Sequence, residues 1–167
     1  MTMNAFQVAV AAEAYVAALF AQVGCDVSIQ YGANQPEYDL IATKGNIFKK
    51  ISVKGSKDGG WVLAAGLKKG RDYHEAIDAW FNRHKDKSVV YAFVQFKDAP
   101  VGSMPRVYLC EVVEVANHLK SSRNKYGYTS LREHYVWASG IAKDSIDAIP
   151  DDWRFTEERI MQLWNRK

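Results

Sequence analysis

Cysteine is scarce in this chain: Cys25 and Cys110 are the two in 167 residues, far apart and in no CxxC or Cys/His ligand pattern. That excludes a disulfide framework and argues against a zinc site. No apolar run reaches the ~18 residues that a membrane span needs. The alanine-rich start is broken by Glu13 and has no basic residue before it, so it does not read as a secretory signal. A cytoplasmic setting without a membrane is the expectation. Charge of one sign is also lacking, with 22 Lys plus Arg against 19 Asp plus Glu, a net +3. Such a balance permits contact with nucleic acid without demanding it.

Several signatures are missing as well. Tyr31-Gly32-Ala33-Asn34 is not the glycine-rich turn of a dinucleotide fold. There is no HExxH, GxSxG or HNH-like pair, and His74, His84, His118 and His134 read as ordinary surface or helix histidines. No internal repeat or low-complexity linker divides the chain, so residues 1–167 read as a single domain. A hydrophobic fraction of 48% with 25% charged residues is ordinary for a folded protein and excludes disorder as the main state.

What is present has a readable order. Residues 4–23 form an amphipathic helix whose expected apolar stripe is Phe6, Ala9, Val10, Val16, Ala17 and Phe20, ended by Gly24. Residues 26–31 are β-prone, and residues 32–36 form a turn. Residues 37–43 and 47–53 read as paired strands joined by Lys44-Gly45-Asn46. Residues 55–60 are too rich in glycine and charge for a strand and read as a loop. A helix over 73–84 and a continuous apolar strand over 88–96 follow, the latter suited to the middle of a sheet. Beyond a proline-containing connection lie a strand at 106–110, a helix at 111–120 and a polar, basic and aromatic loop at 121–129. A last helix, capped by Thr156, carries Ile160, Leu163 and Trp164 on its apolar face. The class is α/β: helix, three-strand meander, helix and strand over 4–96, with an added strand and C-terminal helices over 97–167 packed on that core.

Three polar residues sit where apolar ones are expected. Glu13 falls within the stripe of the first helix, where a carboxyl must be protonated, paired with a cation or bound to metal. Asp39 is placed in a strand beside Leu40 and Ile41, although Asp is disfavoured there. Strand alternation puts Ser52 and Lys54 on one face and Ile51 and Val53 on the other. The separation of Asp39 and Lys54 matches two paired strands and their turn.

A helix carrying Glu13, a strand carrying Asp39 and a next strand carrying Ser52-x-Lys54 resemble the PD-(D/E)XK nuclease superfamily. The segments concerned are AEAYVAALFAQVGCDV, QPEYDLIA and KISVKG, and the resemblance covers residues 4–96. It is closest to archaeal-type Holliday-junction resolvases and intron-encoded homing endonucleases. It implies a restriction-endonuclease-like core and cleavage of DNA with Mg²⁺ or Mn²⁺, with Glu13, Asp39, Ser52 and Lys54 as the catalytic set. Glu13, Asp39 and the Val53 carbonyl would hold the metal, and by analogy the protein could form a homodimer. Ser52 departs from the pattern, which places Glu, Asp or Gln there, and a hydroxyl is a weaker Mg²⁺ ligand than a carboxylate. Glu37, two positions before Asp39, could compensate. The other reading is a catalytically silent fold that binds nucleic acid or a protein. A third is that Glu13, Asp39 and Lys54 form a structural ion network. Expected nucleic-acid contacts are Lys49, Lys50, Lys57, Lys68, Lys69 and Arg71, and also Arg123, Lys125 and Arg132 interleaved with Tyr126, Tyr128 and Tyr135.

Overall fold

The computed structural model describes residues 3–30 and 37–166; the expected turn at 32–36 and the end of the first β-prone run lie outside them. Helix α1 (Ala5–Gln22) starts at a capping box in which Asn4 and Gln7 each accept the other's backbone N–H, and it ends before Gly24 at φ 79°. Such a positive φ suits glycine. The side chains that α1 buries are Val8, Ala12, Val16 and Phe20. The stripe expected from sequence is therefore rotated, because Phe6, Ala9 and Val10 face outward. With 18 residues and a mean hydropathy of 1.4, α1 is long and apolar enough to cross a bilayer by length and composition. In this fold its buried side chains pack on a sheet.

That sheet has five strands in the order β1 (Asp26–Ile29), β2 (Leu40–Lys44), β3 (Ile47–Ser56), β5 (Val90–Gln95), β6 (Arg106–Glu111). Strands β1, β2 and β3 are an antiparallel meander, with Lys44 opposite Ile47 across the Gly45-Asn46 turn. Gly45 at φ 61° supplies the positive angle that a tight hairpin needs. After β3 the chain adds β4 (Gly60–Val62) and then α2 (Tyr73–Arg83), and returns as β5 parallel to β3. All six β5 residues are buried, as a central strand covered on both faces requires.

Two layers cover the sheet. On one face α1 and α4 (Glu157–Asn165) enclose Leu40, Ala42, Ile51, Val53, Val90, Ala92 and Val94. On the other, α2 and α3 (Val112–Ser121) enclose Tyr91, Phe93, Tyr108 and Cys110 together with Trp61 and Trp80. The alternation along β5 dictates this division. Burying these apolar residues, at roughly 25 cal/mol per Å² removed from water, is the main force holding helices to sheet.

Two sequence expectations need correction. Asp39 lies just before β2, not inside it, although its backbone N–H still bonds the Ile51 carbonyl at 2.8 Å and its carbonyl accepts the Gln30 N–H at 2.9 Å. Residues 55 and 56 belong to β3 and Gly60 opens β4, so within the glycine-rich segment the loop is confined to residues 57–59. Gly55 is where α1 crosses the sheet: a Cβ there would stand 2.8 Å from Val8 Cγ1 and 2.9 Å from the Val8 carbonyl oxygen. Glycine is thus required for contact with the helix. The tail holds three short strands that composition alone does not announce, β7 (Ser130–Arg132), β8 (His134–Val136) and β9 (Ile146–Ala148), with β7 pairing to β4 and β8 to β9.

Candidate functional site

Where β2 begins, its pairing with β3 stops, and the Asp39 side chain takes over. One Asp39 oxygen accepts the Val53 N–H at 2.6 Å and lies 3.5 Å from the Ser52 hydroxyl. The carboxylate thus satisfies a backbone donor that the departing strand leaves behind. Because the N–H and C=O of one strand residue point to the same side, the Val53 carbonyl also faces the β2 side of β3.

Two clefts meet at this point. One, of about 440 Å³, lies between α1 and the β3–β4 segment and is lined by Glu13, Asp39, Val53, Lys54, Lys57 and Val62, among others. The second, of about 310 Å³, is lined by Glu37, Asp39, Ser52, Lys54, Trp80, Arg83, His84 and Tyr91. Asp39 and Lys54 belong to both. The fold therefore brings Glu13, Asp39 and Lys54 to one place, with Ser52 buried on the second side.

Glu13 is half-buried, and among the described residues its carboxyl makes no hydrogen bond or ion pair. Burial pushes its pKa up, the Asp39 charge raises it further, and Lys54 partly opposes both. Two carboxyl groups that repel each other beside a cation are the electrostatic setting in which a divalent ion is welcome. Among the described residues the second Asp39 oxygen accepts no hydrogen bond. Among the described residues no group of three or more His, Cys, Asp or Glu is arranged to hold a metal. Mg²⁺ usually takes only one or two carboxylates and keeps several waters, and Glu13, Asp39 and the Val53 carbonyl are the oxygen donors that this cleft offers to such an ion.

Glu37 does share the cleft with Asp39. Its carboxylate, however, accepts the Lys85 backbone N–H at 3.2 Å and so fastens the end of α2. Lys54 is exposed and, among the described residues, its ammonium makes no hydrogen bond or ion pair, while its backbone carbonyl accepts the Trp61 indole N–H at 2.8 Å. Trp61 thus pins the strand that presents the lysine.

The other expected contacts are more dispersed. Lys57 lines the Glu13 cleft and reaches the Met3 carbonyl. Lys50 is taken by Asp86 at 2.7 Å, which holds the Asp86 carboxyl down to about 2. Lys49 bonds the Arg166 carbonyl, Lys68 the Arg71 carbonyl and Arg71 the Leu67 carbonyl, while Lys69 is exposed. Arg123 lies against the Tyr73 and Trp137 rings at 5.3 and 5.2 Å, and Arg132 against Tyr135 and Tyr128 at 5.0 and 5.6 Å. These rings are therefore already covered by cations of the same chain. Lys125 lines a separate hollow with Tyr126 and Arg123, and its carbonyl bonds His74.

Sequence reasoning passed over the α2 contribution. Trp80, Arg83 and His84 stand at i, i+3 and i+4, hence on one helical face, and that spacing was the available signal. His84 is no ordinary surface residue. Its Nδ1 lies 2.9 Å from the Trp80 carbonyl and must donate, so in the neutral ring Nε2 accepts from the Tyr91 hydroxyl at 2.8 Å. No protein-family model matches the chain, and no curated protein matches it.

Proposed function

We propose that this protein is a divalent-metal-dependent endonuclease that hydrolyses phosphodiester bonds in DNA, built on a PD-(D/E)XK-type, restriction-endonuclease-like core. The observation that carries this reading is the meeting of a half-buried Glu13, the strand-edge Asp39 and Lys54, the first and last without a side-chain partner among the described residues, at one junction of two clefts. The order α1, β1–β3, α2, β5, with β5 parallel to β3, supports it.

Glu13 and Asp39, with the Val53 carbonyl, would hold Mg²⁺ or Mn²⁺. A bound cation of this kind polarises a phosphate and lowers the pKa of its water. The chain itself supplies the rest. Lys54 sets a positive charge beside the carboxylates, where it stabilises the charge that develops on the phosphate during displacement. The bond from Val53 to Asp39 fixes the carboxylate, so little reorganisation is needed when substrate arrives. The lysine acts as an electrostatic partner.

Ser52 favours one competing reading, a silent member of the fold that binds nucleic acid without cutting it. A neutral hydroxyl stands where a third ligand would help, and Glu37 is occupied elsewhere. The test is incubation of the purified protein with branched, supercoiled and linear DNA in Mg²⁺ or Mn²⁺. Cleavage that vanishes with chelator and in Lys54→Met supports the endonuclease. Binding without cleavage of any of these substrates supports the silent binder.

A further inference from the structure

The 310 Å³ cleft on the α2 side of Asp39 has a task that the reacting groups do not fill. Its lining combines two cations, Lys54 and Arg83, with the carboxylates of Asp39 and Glu37. Yet the Arg83 guanidinium pairs with neither acid, and among the described residues it makes no hydrogen bond or ion pair. Asp39 is turned to Val53 and Glu37 to the Lys85 N–H. Of the neighbouring cations, Lys50 is held by Asp86 and Lys87 by the carbonyls of Phe81 and His84, whereas Lys85 is exposed, does not line the cleft, and bonds Glu37 through its backbone N–H.

The wall behind Arg83 is rigid. His84 is locked between the Trp80 carbonyl and the Tyr91 hydroxyl, with its ring 4.5 Å from that of Trp80. Those donors and acceptors are satisfied inward, which leaves the Arg83 guanidinium as the forked donor of this cleft. A guanidinium matches two oxygens of one phosphate, and ring edges beside it reduce competition from water.

We propose that this cleft seats a second backbone phosphate of the bound nucleic acid, held by Arg83 with help from Lys54, next to the phosphate at Asp39. This rests on the nucleic-acid reading above and deepens it: Arg83 is a positioning residue that fixes the register of the strand across the Asp39–Lys54 junction. A strand crossing Asp39 from the Glu13 cleft enters this cleft directly, because both share the same two residues.

The experiment is binding of a fluorescent DNA duplex by anisotropy, in chelator, over a range of salt concentrations. The proteins are wild type, Arg83→Gln, Arg83→Lys and, as a control cation outside the cleft, Lys143→Gln. Loss of one phosphate contact lowers the slope of log affinity against log salt by about one. Arg83→Gln should show that loss, Arg83→Lys should keep the slope, and Lys143→Gln should match wild type. Thermal melting of each variant verifies folding, and Arg83→Lys keeps the test valid if the glutamine variant melts early. Inorganic phosphate at millimolar concentration should compete weakly with wild type and not at all with Arg83→Gln. A wild-type slope in Arg83→Gln overturns the inference while leaving the nuclease reading standing. Absence of DNA binding by wild type, in chelator and with Mn²⁺ alike, overturns the nucleic-acid reading itself.

Discussion

The Asp39 carboxylate accepts the Val53 backbone N–H at 2.6 Å, and so an acidic side chain replaces a strand at the point where β2 leaves β3. The same group is structural and electrostatic, and two substitutions separate the roles. Asp39→Asn keeps a carbonyl oxygen for Val53 and should melt near wild type. Asp39→Ala leaves a half-buried N–H unpaired, at a cost of about 1–3 kcal/mol. Both should lose metal-dependent cleavage, which is checked by melting and plasmid nicking on the same samples.

Glu13 gives a pH signature whose sign follows from its surroundings. Burial, then the Asp39 charge, raise its folded pKa above the unfolded one. A raised carboxyl favours folding below its unfolded pKa, and that contribution is lost as pH rises through the folded value. At neutral pH the ionised group is therefore a burden in the absence of a divalent cation. Glu13→Gln should melt no lower than wild type at pH 7 in chelator, and only wild type should gain stability from Mn²⁺. A lower melting temperature for the variant in chelator would favour the structural ion network instead.

Gly55→Ala tests how α1 is held. The added methyl meets Val8 Cγ1 and the Val8 carbonyl well inside contact distance, so the helix that carries Glu13 must shift. Overpacking of this kind costs about 1–3 kcal/mol. Cleavage should fall further than that loss of stability explains, as measured by comparing kcat below the melting range with the melting temperature.

Gly55 also shows how far the sequence could be read. The existence of α1, the hairpin, α2 and the buried β5 is legible in the sequence, because each segment has a composition suited to its element. Glycine content argued for a loop at 55–60, but glycine was needed there for close approach of a helix, which requires knowing the packing. The rotation of α1 escaped notice for a related reason. Alanines on most sides of the helix leave the apolar stripe poorly defined, so the pattern points Phe6 and Val10 inward although they are exposed. Glu13, Asp39 and Lys54 stood out as polar groups in apolar company. Arg83 and His84 did not, since a charged end of a helix looks the same whether it faces water or a cleft. Arg159 was hidden likewise: it lies buried on α4 with its guanidinium on Glu114 at 2.5 Å and on the Leu109 carbonyl at 3.0 Å.

Ser52→Glu follows from the neutral residue beside Asp39. The new carboxyl would replace a buried hydroxyl that lies 3.5 Å from the Asp39 carboxylate, so without a cation it should destabilise the fold through like-charge repulsion and burial. With Mn²⁺ present the loss should be recovered and cleavage should rise. Melting curves with and without the ion, run beside a nicking assay, check both halves.

The decisive measurement is a calorimetric titration of Mn²⁺ into wild type, Glu13→Gln and Asp39→Asn at neutral pH, repeated with a short DNA duplex present. Wild type should take up the ion, more tightly with the duplex, and both variants should lose that uptake while remaining folded. Equal heats from all three proteins, with and without DNA, would contradict a metal held between Glu13 and Asp39.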